Sequence, residues 1–307
     1  MKTAGLVVDW GRPSETTEAL KTLAAMTPAL DLLIRVDNNS PGIGVAPVRD
    51  SAPEGTLFVD LPANVGWPAA VNLGMEVALA NGVDWTIVLN NDATVAPTCL
   101  SRCIDEAKRY DRVAAIGPAI AFDSRRDTLW FAGGLVSRWF AFTRHRGLMG
   151  RSTNPPPSAR IDFVSGCCFV VASAAWRSIG PFREDYFAYY EDAEWCQRAS
   201  DLGWQCRYLG EVLCWHQVSV TWSERGSTGL SRGMAYYLAR NPLRFALETA
   251  PIPRRITRLL GILLVWGAYN AWRTLQSRDG GVASAYLEGL RDAARGKMGR
   301  RPPPSVE

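Results

Sequence analysis

Short apolar segments alternate with helical segments through the first third of the chain, and this order limits the folds open to it more than any other feature. Four apolar runs predict strands, at Gly5–Val8, Leu32–Val36, Thr56–Asp60 and Trp85–Leu89. Helices are predicted between them, at Thr16–Met26 and from Pro68 to about Ala80. This alternation indicates an α/β fold, with a mostly parallel central sheet flanked by helices.

Length and composition are those of a globular protein. The 307 residues are 47% hydrophobic and 21% charged, which allows one large domain or two joined ones and excludes a disordered chain. A net charge of 34 − 30 = +4 does not indicate a nucleic-acid partner. The apolar run before Asp9 is too short for a signal peptide, and the seven scattered Cys lack the spacing of a zinc site. We therefore expect buried, reduced thiols and a cytoplasmic protein.

Residues 251–301 differ from the rest of the chain in charge, with ten Lys and Arg against three Asp and Glu, a local charge of +7. Inside this stretch, the fourteen residues Leu259–Trp272 include only one strongly polar side chain, that of Asn270. A bilayer-spanning helix needs roughly 17–25 apolar residues. Two interpretations stay open: peripheral contact with anionic lipid at the inner face of the plasma membrane, or packing on the domain or on a second copy of the chain in a homodimer.

Polar residues follow the predicted strands, at the ends where sheets of this kind bind ligands. Asn90-Asn91-Asp92 comes directly after one buried strand, and a carboxylate placed there can hold a divalent cation that bridges diphosphate oxygens. His216 ends a later apolar run, and its imidazole suits Mn²⁺. For both segments the structural alternative is a turn or a buried histidine with local hydrogen bonds.

Two further segments carry candidate residues. Glu191 and Asp192 begin a predicted helix, where they either cap its N-terminus or supply a general base. In the segment that starts at Asn64, Gly66 lets the backbone turn sharply or approach a ligand. The helix that follows, which contains Asn72, offers its N-terminus to a phosphate group. Tight packing of that helix on the sheet is the alternative.

The order of these segments resembles that of the family 2 glycosyltransferases with the GT-A fold. The segments that carry the resemblance are VDNNS, NVGWPAAVNLG, WTIVLNNDATV, DFVSGCCFVV with IGPFREDYFAYYEDAEWCQR, and a His at a strand end. A downstream segment, YYLARNPLRF at Tyr236–Phe245, is similar to one in the rhamnosyltransferase-like branch. The resemblance extends from about Gly5 to Phe245, some four fifths of the chain.

The resemblance implies a GT-A domain with a Rossmann-like, mostly parallel central sheet and a C-terminal helical extension. Residues 1–120 are expected to form the nucleotide-sugar-binding half, residues 121–250 the half that binds the acceptor and supplies the catalytic base, and residues 251–307 a basic, apolar helical region. The implied reaction is an inverting transfer of a sugar, rhamnose or a related hexose, from a dTDP- or UDP-sugar to an acceptor hydroxyl. The acceptor classes implied are a glycan, a lipid-linked intermediate or a small molecule.

Site residues follow from the resemblance position by position. It implies that Asp192 is the catalytic general base and that Asp92 and His216 bind a divalent cation, Mn²⁺ or Mg²⁺. The residues expected at the nucleotide are Asp37, Asn64, Gly66, Asn72, Asn90 and Asn91. Those expected at the diphosphate or the acceptor are Glu191, Trp195 and Arg240. Asn90 stands where the family's Asp-x-Asp motif begins with Asp, which removes one negative charge from the metal site.

Two other functions stay open from the sequence. A glycoside hydrolase needs two carboxylates about 5–10 Å apart, and Asp92 and Asp192 are the candidates. A catalytically inactive protein that binds sugar nucleotides or serves as a scaffold is the second. A Rossmann dehydrogenase is not indicated, because Gly11-Arg12-Pro13 after the first strand lacks the GxGxxG phosphate loop.

Overall fold

The computed structural model describes residues 1–40, 46–137, 143–217, 231–249, 252–276 and 279–301. The strands in this part of the chain are β1 (Thr3–Asp9), β2 (Leu32–Asp37), β3 (Leu57–Asp60), β4 (Trp85–Asn90), β5 (Ala93–Val95), β6 (Val113–Phe122), β7 (Arg125–Phe131), β8 (Gly134–Val136), β9 (Thr143–His145), β10 (Ala159–Ile161), β11 (Cys168–Ala172) and β12 (Gln205–His216).

The helices are α1 (Pro13–Ala24), α2 (Ala46–Ser51), α3 (Trp67–Ala80), α4 (Cys99–Ala107), α5 (Ser173–Ile179), α6 (Glu191–Asp201), α7 (Arg232–Thr249), α8 (Ile252–Gly261), α9 (Gly267–Gln276) and α10 (Gly280–Ala294). A short 3₁₀ turn, Glu184–Tyr186, lies between α5 and α6. A π-helical turn, Ile262–Trp266, joins α8 to α9 in one continuous helix.

One sheet runs through the domain in the order β10-β12-β6-β11-β4-β1-β2-β3, with β5 paired to β12 and β7 paired to β6. Neighbouring strands are parallel from β4 through β1 and β2 to β3, and β6 is parallel to β12. β11 lies between β4 and β6 and is antiparallel to both, so β4 and β6 point the same way. The carboxyl ends of six strands (β1, β2, β3, β4, β6 and β12) therefore share one edge of the sheet.

Burial explains why the central strands are apolar in sequence. Every residue of β1 is buried, and so are the four central residues of β4, because helices such as α3 pack against the sheet. Strands covered in this way need side chains that lose no hydrogen bonds on leaving water. The predicted mostly parallel sheet flanked by helices is confirmed. All seven cysteines are buried and none forms a disulfide, as the sequence predicts.

Three local predictions are corrected by the structure. Residues 206–209 and 212–215, expected as two strands, belong to β12, whose pairing with β6 shifts register between Leu209 and Val212. Arg144–Arg160, expected as one long loop, contains most of β9 and the start of β10, because β10 adds an antiparallel strand beside β12. The strand expected from Phe163 begins only at residue 168.

The C-terminal helices form a layer on the domain, which confirms the predicted helical extension. α7 and α10 pack through small and aromatic side chains, those of Ala235, Tyr236, Ala239, Val282 and Ala285. Their closest approach is at Gly289, where a Cβ would lie 2.3 Å from the carbonyl oxygen of Tyr236. α10 therefore packs on the protein itself. Within the described ranges, every helix is too short or too polar to span a bilayer.

Candidate active site

The carboxyl edge of the sheet gathers the polar residues that end four strands. Asp9, Asp37 and Asn90 end the neighbouring strands β1, β2 and β4, and His216 ends β12. Asp9 and Asp37 are direct partners in the register of β1 and β2. β12 reaches the same edge because its last residues pair with β5, which directly follows Asp92. We refer to Asp9, Asp37, Asn90, Asp92 and His216 as the strand-end cluster.

A buried arginine ties together one side of this cluster. Arg35 is fully buried within β2, and one of its guanidinium nitrogens lies 2.5 Å from Asp9 Oδ2 and 3.4 Å from Asp37 Oδ1. Another donates to Asp60 Oδ1 at 3.1 Å. Asp37 Oδ1 also accepts hydrogen bonds from the backbone and the hydroxyl of Ser40. Because buried carboxylates cost free energy unless they are paired, Arg35 fixes the Asp9 and Asp37 side chains in place.

The Asn90-Asn91 turn connects the strand-end cluster to its surroundings. Asn90 Oδ1 accepts a hydrogen bond from the indole N–H of Trp67 at 2.9 Å. The Asn91 amide donates to Asp9 Oδ1 at 3.3 Å. These two bonds fix the chain immediately before Asp92, and they leave both asparagines at the edge of the sheet where a ligand would lie.

Asp92 and His216 form an acid–imidazole pair. Asp92 Oδ1 lies 3.1 Å from His216 Nε2, and the side chains are 15% and 10% exposed. The His216 ring packs edge-on against Trp130, with centroids 4.4 Å apart. Arg12, the N-cap residue of α1, places a guanidinium nitrogen 3.9 Å from Asp92 Oδ2. Burial opposes ionisation of Asp92, but His216 and Arg12 together outweigh it, so the pKa of Asp92 is lowered.

The carboxylate oxygens of Asp92 and the imidazole nitrogen of His216 suit a divalent cation that is also bound by a substrate. Among the residues that the structure describes, no group of three or more His, Cys, Asp or Glu side chains is placed to hold a metal. Among these described residues, Asp92 and His216 are the pair that could bind a metal at the strand ends. Mg²⁺ bound with nucleotides usually takes only one or two carboxylates and completes its shell with phosphate oxygens and water, and an imidazole nitrogen suits Mn²⁺ as well. His216 would give Nε2 to a metal by releasing only its contact with Asp92.

The loop that leads into α6, residues 185–192, has a constrained backbone, and we refer to it as the Asp192 loop. Phe187, Tyr189 and Tyr190 have φ values of +66°, +66° and +75°. This left-handed region costs free energy for residues with large side chains, and it persists only where surrounding contacts impose it. The Asn241 amide of α7 supplies such contacts, because it donates to two successive carbonyl oxygens of the loop at 2.6 and 2.7 Å.

Asp192 lies in the first turn of α6, and backbone N–H groups hold its carboxylate. Its Oδ2 accepts a hydrogen bond from Gly166 at 3.1 Å and its Oδ1 accepts one from Ala193 at 2.7 Å. Burial raises the pKa of Asp192, and these hydrogen bonds reduce the rise. Burial and the neighbouring Asp192 raise the pKa of Glu191 well above its usual range. A carboxylate with a raised pKa is suited to accept a proton near neutral pH.

Gly66, which precedes α3, lies where the strand-end cluster meets the Asp192 loop. Its φ is +92°, and its backbone N–H donates to Asn64 Oδ1 at 3.0 Å. A Cβ at this position would lie 2.6 Å from the carbonyl oxygen of Phe187. The same oxygen accepts a hydrogen bond from the backbone of Trp67 at 2.9 Å. Both the backbone angle and the close approach require glycine here.

A short segment before β11 completes the connection between the two sides. Gly166, whose N–H binds Asp192, also lies against the Trp67 ring, where an added Cβ would be 3.1 Å from the indole. The next residue, Cys167, accepts a hydrogen bond from the backbone of Asn90 at 2.9 Å. The structure thus brings Asp192 and the strand-end cluster to either side of the same two backbone residues.

Three of the residues expected at a ligand lie in supporting positions. The amide of Asn72, buried in α3, binds both the N–H and the C=O of Phe182 at 2.9 Å. Trp195 is fully buried, and its indole donates to the carbonyl of Gly180 at 2.8 Å. Glu191 is buried beside Asp192. In this arrangement Asn72 and Trp195 fix the segment that precedes the Asp192 loop, and neither side chain reaches the strand ends.

Arg240 also supports the Asp192 loop from behind. Its side chain is fully buried in α7, where it donates to the carbonyl of Tyr186 at 2.8 Å and to that of Gly299 at 2.6 Å. It also donates to Asn241 Oδ1 at 2.8 Å. Its hydrogen-bond donors are committed within the protein, which gives Arg240 a supporting role in place of the diphosphate contact expected from the sequence.

Four residues of the site are not among those that the sequence predicts. They are Asp9, Arg12, Arg35 and Asn241. Arg35 carries a recognisable signal, because it is the one charged residue inside the apolar run LLIRV. Asp9 has a weaker one, since it ends the first predicted strand as Asp37 ends the second. Arg12 and Asn241 carry none, because their roles depend on which distant residues the fold places beside them.

A cavity of about 370 Å³ lies at the opposite edge of the sheet. Asp84, Arg112, Arg177 and Trp204 are among its lining residues. The cavity lies at the amino end of β4, because its lining includes the first residue of that strand. No residue of the strand-end cluster or of the Asp192 loop lines it. It is therefore separate from the candidate active site.

Known proteins are similar in sequence to the first half of the chain. The model of the family described as Glycosyl transferase family 2 matches residues 10–172, which include the Asn90-Asn91-Asp92 turn. N-acetylglucosaminyl-diphospho-decaprenol L-rhamnosyltransferase of Mycobacterium tuberculosis is 31% identical over 172 residues, covering 49% of this chain and 56% of that protein. Galactofuranosyltransferase GlfT1 of the same organism is 32% identical over 138 residues, covering 41% and 44%. The chain thus spans about half the length of the curated relatives it matches.

Solved structures share the fold at low sequence identity. GalNAc-T7, solved with UDP, GalNAc and Mn²⁺, gives a TM-score of 0.56 at 12% identity, over 88% of this chain and 57% of that one. Mannosyltransferase PcManGT from Pyrobaculum calidifontis, in complex with GDP-Man and Mn²⁺, gives 0.56 at 16% identity, over 96% and 77%. The GT-A fold expected from the sequence is confirmed.

Proposed function

The chain belongs to glycosyl transferase family 2, and from this premise we propose that it transfers a sugar from a nucleoside diphosphate sugar to an acceptor hydroxyl. One observation carries the proposal: Asp192 accepts a hydrogen bond from Gly166, and the next residue, Cys167, accepts one from the backbone of Asn90, two residues before Asp92 of the Asp92–His216 pair. With a divalent cation bound, the pair would suit the charged diphosphate, and the Asp192 carboxylate suits the reacting hydroxyl.

The nucleotide side of the proposed site is the strand-end cluster with the turn before α3. Asp37, fixed by Arg35 and Ser40, would accept hydrogen bonds from the base. The Asn64–Gly66 turn and the Asn90-Asn91 turn would border the ribose and the diphosphate. The N-terminus of α3 lies beside Asn90, which binds the Trp67 indole, and the helix dipole favours a negatively charged ligand there.

The donor and acceptor proposed first follow from the relatives. One is named for rhamnosyl transfer and another for galactofuranosyl transfer, which supports rhamnose or a related hexose as the sugar. The proposed carrier, dTDP or UDP, rests on the resemblance of the sequence to the family. The first relative's name also describes an acceptor that is a sugar on a diphosphate-linked polyprenol. We therefore place a lipid-linked acceptor ahead of a free glycan or a small molecule.

A divalent cation, Mn²⁺ or Mg²⁺, would be held by Asp92 and His216. Two structures of the same fold were solved with Mn²⁺, which supports this assignment. When bound, the ion supplies positive charge against the negative charge that develops on the leaving diphosphate. Asn90 contributes no negative charge to the proposed metal site. The guanidinium of Arg12, 3.9 Å from Asp92, adds a positive charge beside that carboxylate.

Asp192 acts as the general base in the proposed reaction. It takes the proton of the acceptor hydroxyl while the hydroxyl oxygen forms a bond to the anomeric carbon. The bond from that carbon to the diphosphate oxygen breaks, and the nucleoside diphosphate leaves with the electron pair. Because the attack comes from the face opposite the leaving group, the anomeric configuration is inverted. Burial and the neighbouring Asp192 raise the pKa of Glu191, which opposes a second negative charge beside the base.

The first test is a screen for the donor. The full chain is heated with nucleoside diphosphates and their sugars, with and without Mn²⁺, and a ligand that binds the folded protein raises its melting temperature. The donor that stabilises most is then incubated with acceptors, including a polyprenyl diphosphate sugar, and the product is identified by mass spectrometry. We expect dTDP- or UDP-sugars to stabilise the chain and one of them to be transferred.

Asp92→Ala tests, in the same screen, how much of the nucleotide binding depends on the metal. Removal of this carboxylate should abolish the part of the nucleotide-induced shift that depends on Mn²⁺ and leave the metal-independent part. Glu106→Ala, a buried carboxylate on α4 paired with Arg109, is the control. An identical Mn²⁺ response in Asp92→Ala would remove the metal assignment.

The donor screen also tests the two alternative functions. Donor binding without transfer to any acceptor would favour an inactive binding protein, and cleavage of a plain glycoside without nucleotide would favour a hydrolase.

A further inference from the structure

The continuous helix formed by α8, the π-helical turn and α9 (residues 252–276) carries a stripe of exposed apolar side chains. The stripe consists of Ile256, Leu260, Leu263, Leu264 and Trp272, which are 49% to 71% exposed. Spacings of four, seven, eight and sixteen residues from the first member place them on one side of a helix. A solvent-exposed apolar surface of this extent usually marks a place of contact with another molecule.

The opposite side of this helix packs on the protein. Ile262 is 3% exposed and belongs to the main hydrophobic core. Arg258 is buried, and its guanidinium donates to the hydroxyl of Thr249 at 3.0 Å. Tyr286 of α10 donates to the carbonyl of Gly267 at 3.3 Å. These contacts fix the rotation of the helix about its axis, so the apolar stripe is held outward by packing on its other side.

The charge of this helix indicates which kind of partner suits the apolar stripe. Residues 252–276 contain four arginines, at 254, 255, 258 and 273, and no acidic residue. Two of the arginines directly adjoin the stripe in sequence, Arg255 beside Ile256 and Arg273 beside Trp272. The Arg273 guanidinium lies 5.8 Å from the ring centre of Tyr269. Apolar side chains flanked by arginine, with Tyr and Trp at one end, are the composition of helices that lie in the headgroup region of a bilayer.

We propose that the stripe docks on the surface of an anionic lipid bilayer, with the helix axis parallel to the membrane plane. At 1.5 Å per residue the helix is about 37 Å long. It would bury its five apolar side chains below the headgroups while Arg255 and Arg273 contact lipid phosphates. The same net positive charge opposes the close approach of a second copy of this surface, which makes a membrane the better occupant. This inference is independent of the transfer reaction.

Docking in this orientation would connect the membrane to the catalytic side of the site. α7 packs against α8 and α10, and its Asn241 and Arg240 hold the Asp192 loop. The helical layer that would rest on lipid is therefore the layer that supports the proposed base. A lipid-linked acceptor held in that membrane would approach the protein from the same layer.

The test is co-sedimentation of the full chain with sucrose-loaded vesicles. Phosphatidylcholine vesicles with about 30 mol% phosphatidylglycerol are compared with vesicles of phosphatidylcholine alone. We expect binding to the anionic vesicles, weaker binding to the neutral ones, and a loss of binding at about 0.5 M NaCl, where surface charges are screened. Equal binding to both vesicles in high salt, or no binding to either, would overturn the proposal.

Two variants locate the contact. Leu260→Gln with Leu264→Gln replaces two stripe residues that are already exposed, and we expect the partition coefficient on anionic vesicles to fall about tenfold or more. Leu202→Gln, a 50% exposed leucine at the end of α6, is the control and should bind as the wild type does. Arg255→Gln with Arg273→Gln tests the charge without changing the stripe, and it should weaken anionic binding selectively. Unchanged binding of both double variants would contradict the proposal.

The occupant is checked by sedimentation equilibrium without lipid. We expect the wild type and the leucine double variant to have the same mass at the same concentration. A wild-type dimer that the double variant converts to a monomer would instead identify the stripe as an interface between two copies of the chain.

Discussion

The strand-end cluster and the Asp192 loop form two sides of one site, and they hold their shapes by different means. On the strand side, Asp9 and Asp37 end regular paired strands, and the buried guanidinium of Arg35 contacts both. The loop has three residues in the left-handed region of backbone space. Its conformation is imposed by the side chain of Asn241, more than fifty residues further along the chain.

This difference suggests a division between binding and chemistry. A cluster set by strand pairing and ion pairs is a rigid surface, which suits the proposed nucleotide because its interactions would change little during the reaction. A general base must be oriented closely toward the reacting hydroxyl, and small displacements of such a group cost large factors in rate. We therefore expect changes in the strand-end cluster to alter nucleotide affinity and changes in the Asp192 loop to alter turnover.

Asp192→Asn is expected to have the largest effect, a loss of about 10²–10⁴ in kcat, because an amide cannot take the acceptor's proton. Nucleotide Kd should stay near the wild-type value, since the strand-end cluster is unchanged. Single-turnover assays and nucleotide titrations measure the two quantities separately. Wild-type turnover in this variant would remove Asp192 from the role of base.

The titration of Asp192 gives a second check on the same variant. Burial raises the pKa of Asp192 in the folded state, so its ionisation costs folding stability as the pH rises above the ordinary aspartate value of about 3.9. Asp192→Asn removes that cost, so the melting temperature of the variant relative to the wild type should be higher at pH 8 than at pH 4. The acid limb of wild-type kcat/KM should likewise lie above the ordinary aspartate pKa. A difference in melting temperature, variant minus wild type, that decreases as the pH rises would contradict this sign.

Asn241→Ala is expected to have the next largest effect, a fall of about 10–100-fold in kcat with nucleotide Kd within about twofold. It removes the amide that binds two carbonyls of the Asp192 loop, and unpaired buried carbonyls cost about 1–3 kcal/mol each. Gln197→Ala is the control, because that amide contacts only the neighbouring helical turn at Asp201. A change in Kd without a change in kcat would break the proposed division.

Gly66→Ala should affect both quantities, because Gly66 lies where the two sides meet. Kinetic effects of about tenfold are expected, since a Cβ would lie 2.6 Å from the Phe187 carbonyl oxygen and must displace it. Gly82→Ala is the matched control: its φ is +71°, but an added Cβ has no atom within 4 Å. Both variants carry the backbone cost of about 1 kcal/mol or more, so the difference between them isolates the contact with the loop. Equal kinetics in the two variants would show that the sides are not coupled through Gly66.

The same contrast explains which parts of the molecule can be predicted from sequence. Asp37 and Asp92 follow buried apolar strands, and the carboxyl ends of parallel strands must meet at one edge, so local pattern and topology are enough to place them. The Asp192 loop carries no such regularity. Its left-handed residues are large aromatics, and propensity alone argues against that backbone. Contacts from residues distant in sequence, such as Asn241, hold it.

Long-range pairing also accounts for the residues that sequence misplaces. Arg240 lies in a segment that resembles the family, and the resemblance predicts that it contacts the diphosphate or the acceptor. In the structure its side chain is buried and donates hydrogen bonds to the carbonyls of Tyr186 and Gly299. Asn72 shows the same effect, since the residue expected at the nucleotide instead binds the backbone of Phe182. Arg240 and Asn72 show that a polar side chain in such a segment can support a neighbouring loop, and the sequence does not distinguish this role from contact with a ligand.

Arg35→Met should have the smallest effect on turnover and a clear one on affinity. It leaves Asp9 and Asp37 buried without their counter-charge, which costs about 3–5 kcal/mol of stability. Because those side chains lose their positions, nucleotide Kd should rise about tenfold, while kcat at saturating donor stays within about twofold. Arg49→Met is the control: Arg49 binds the same Asp60 from a partly exposed position, where an ion pair contributes about 1 kcal/mol or less. If Arg35→Met lowered kcat as far as Asn241→Ala does, the Asp192 loop would depend on the strand-end cluster for its shape, and the two sides would be one mechanical unit.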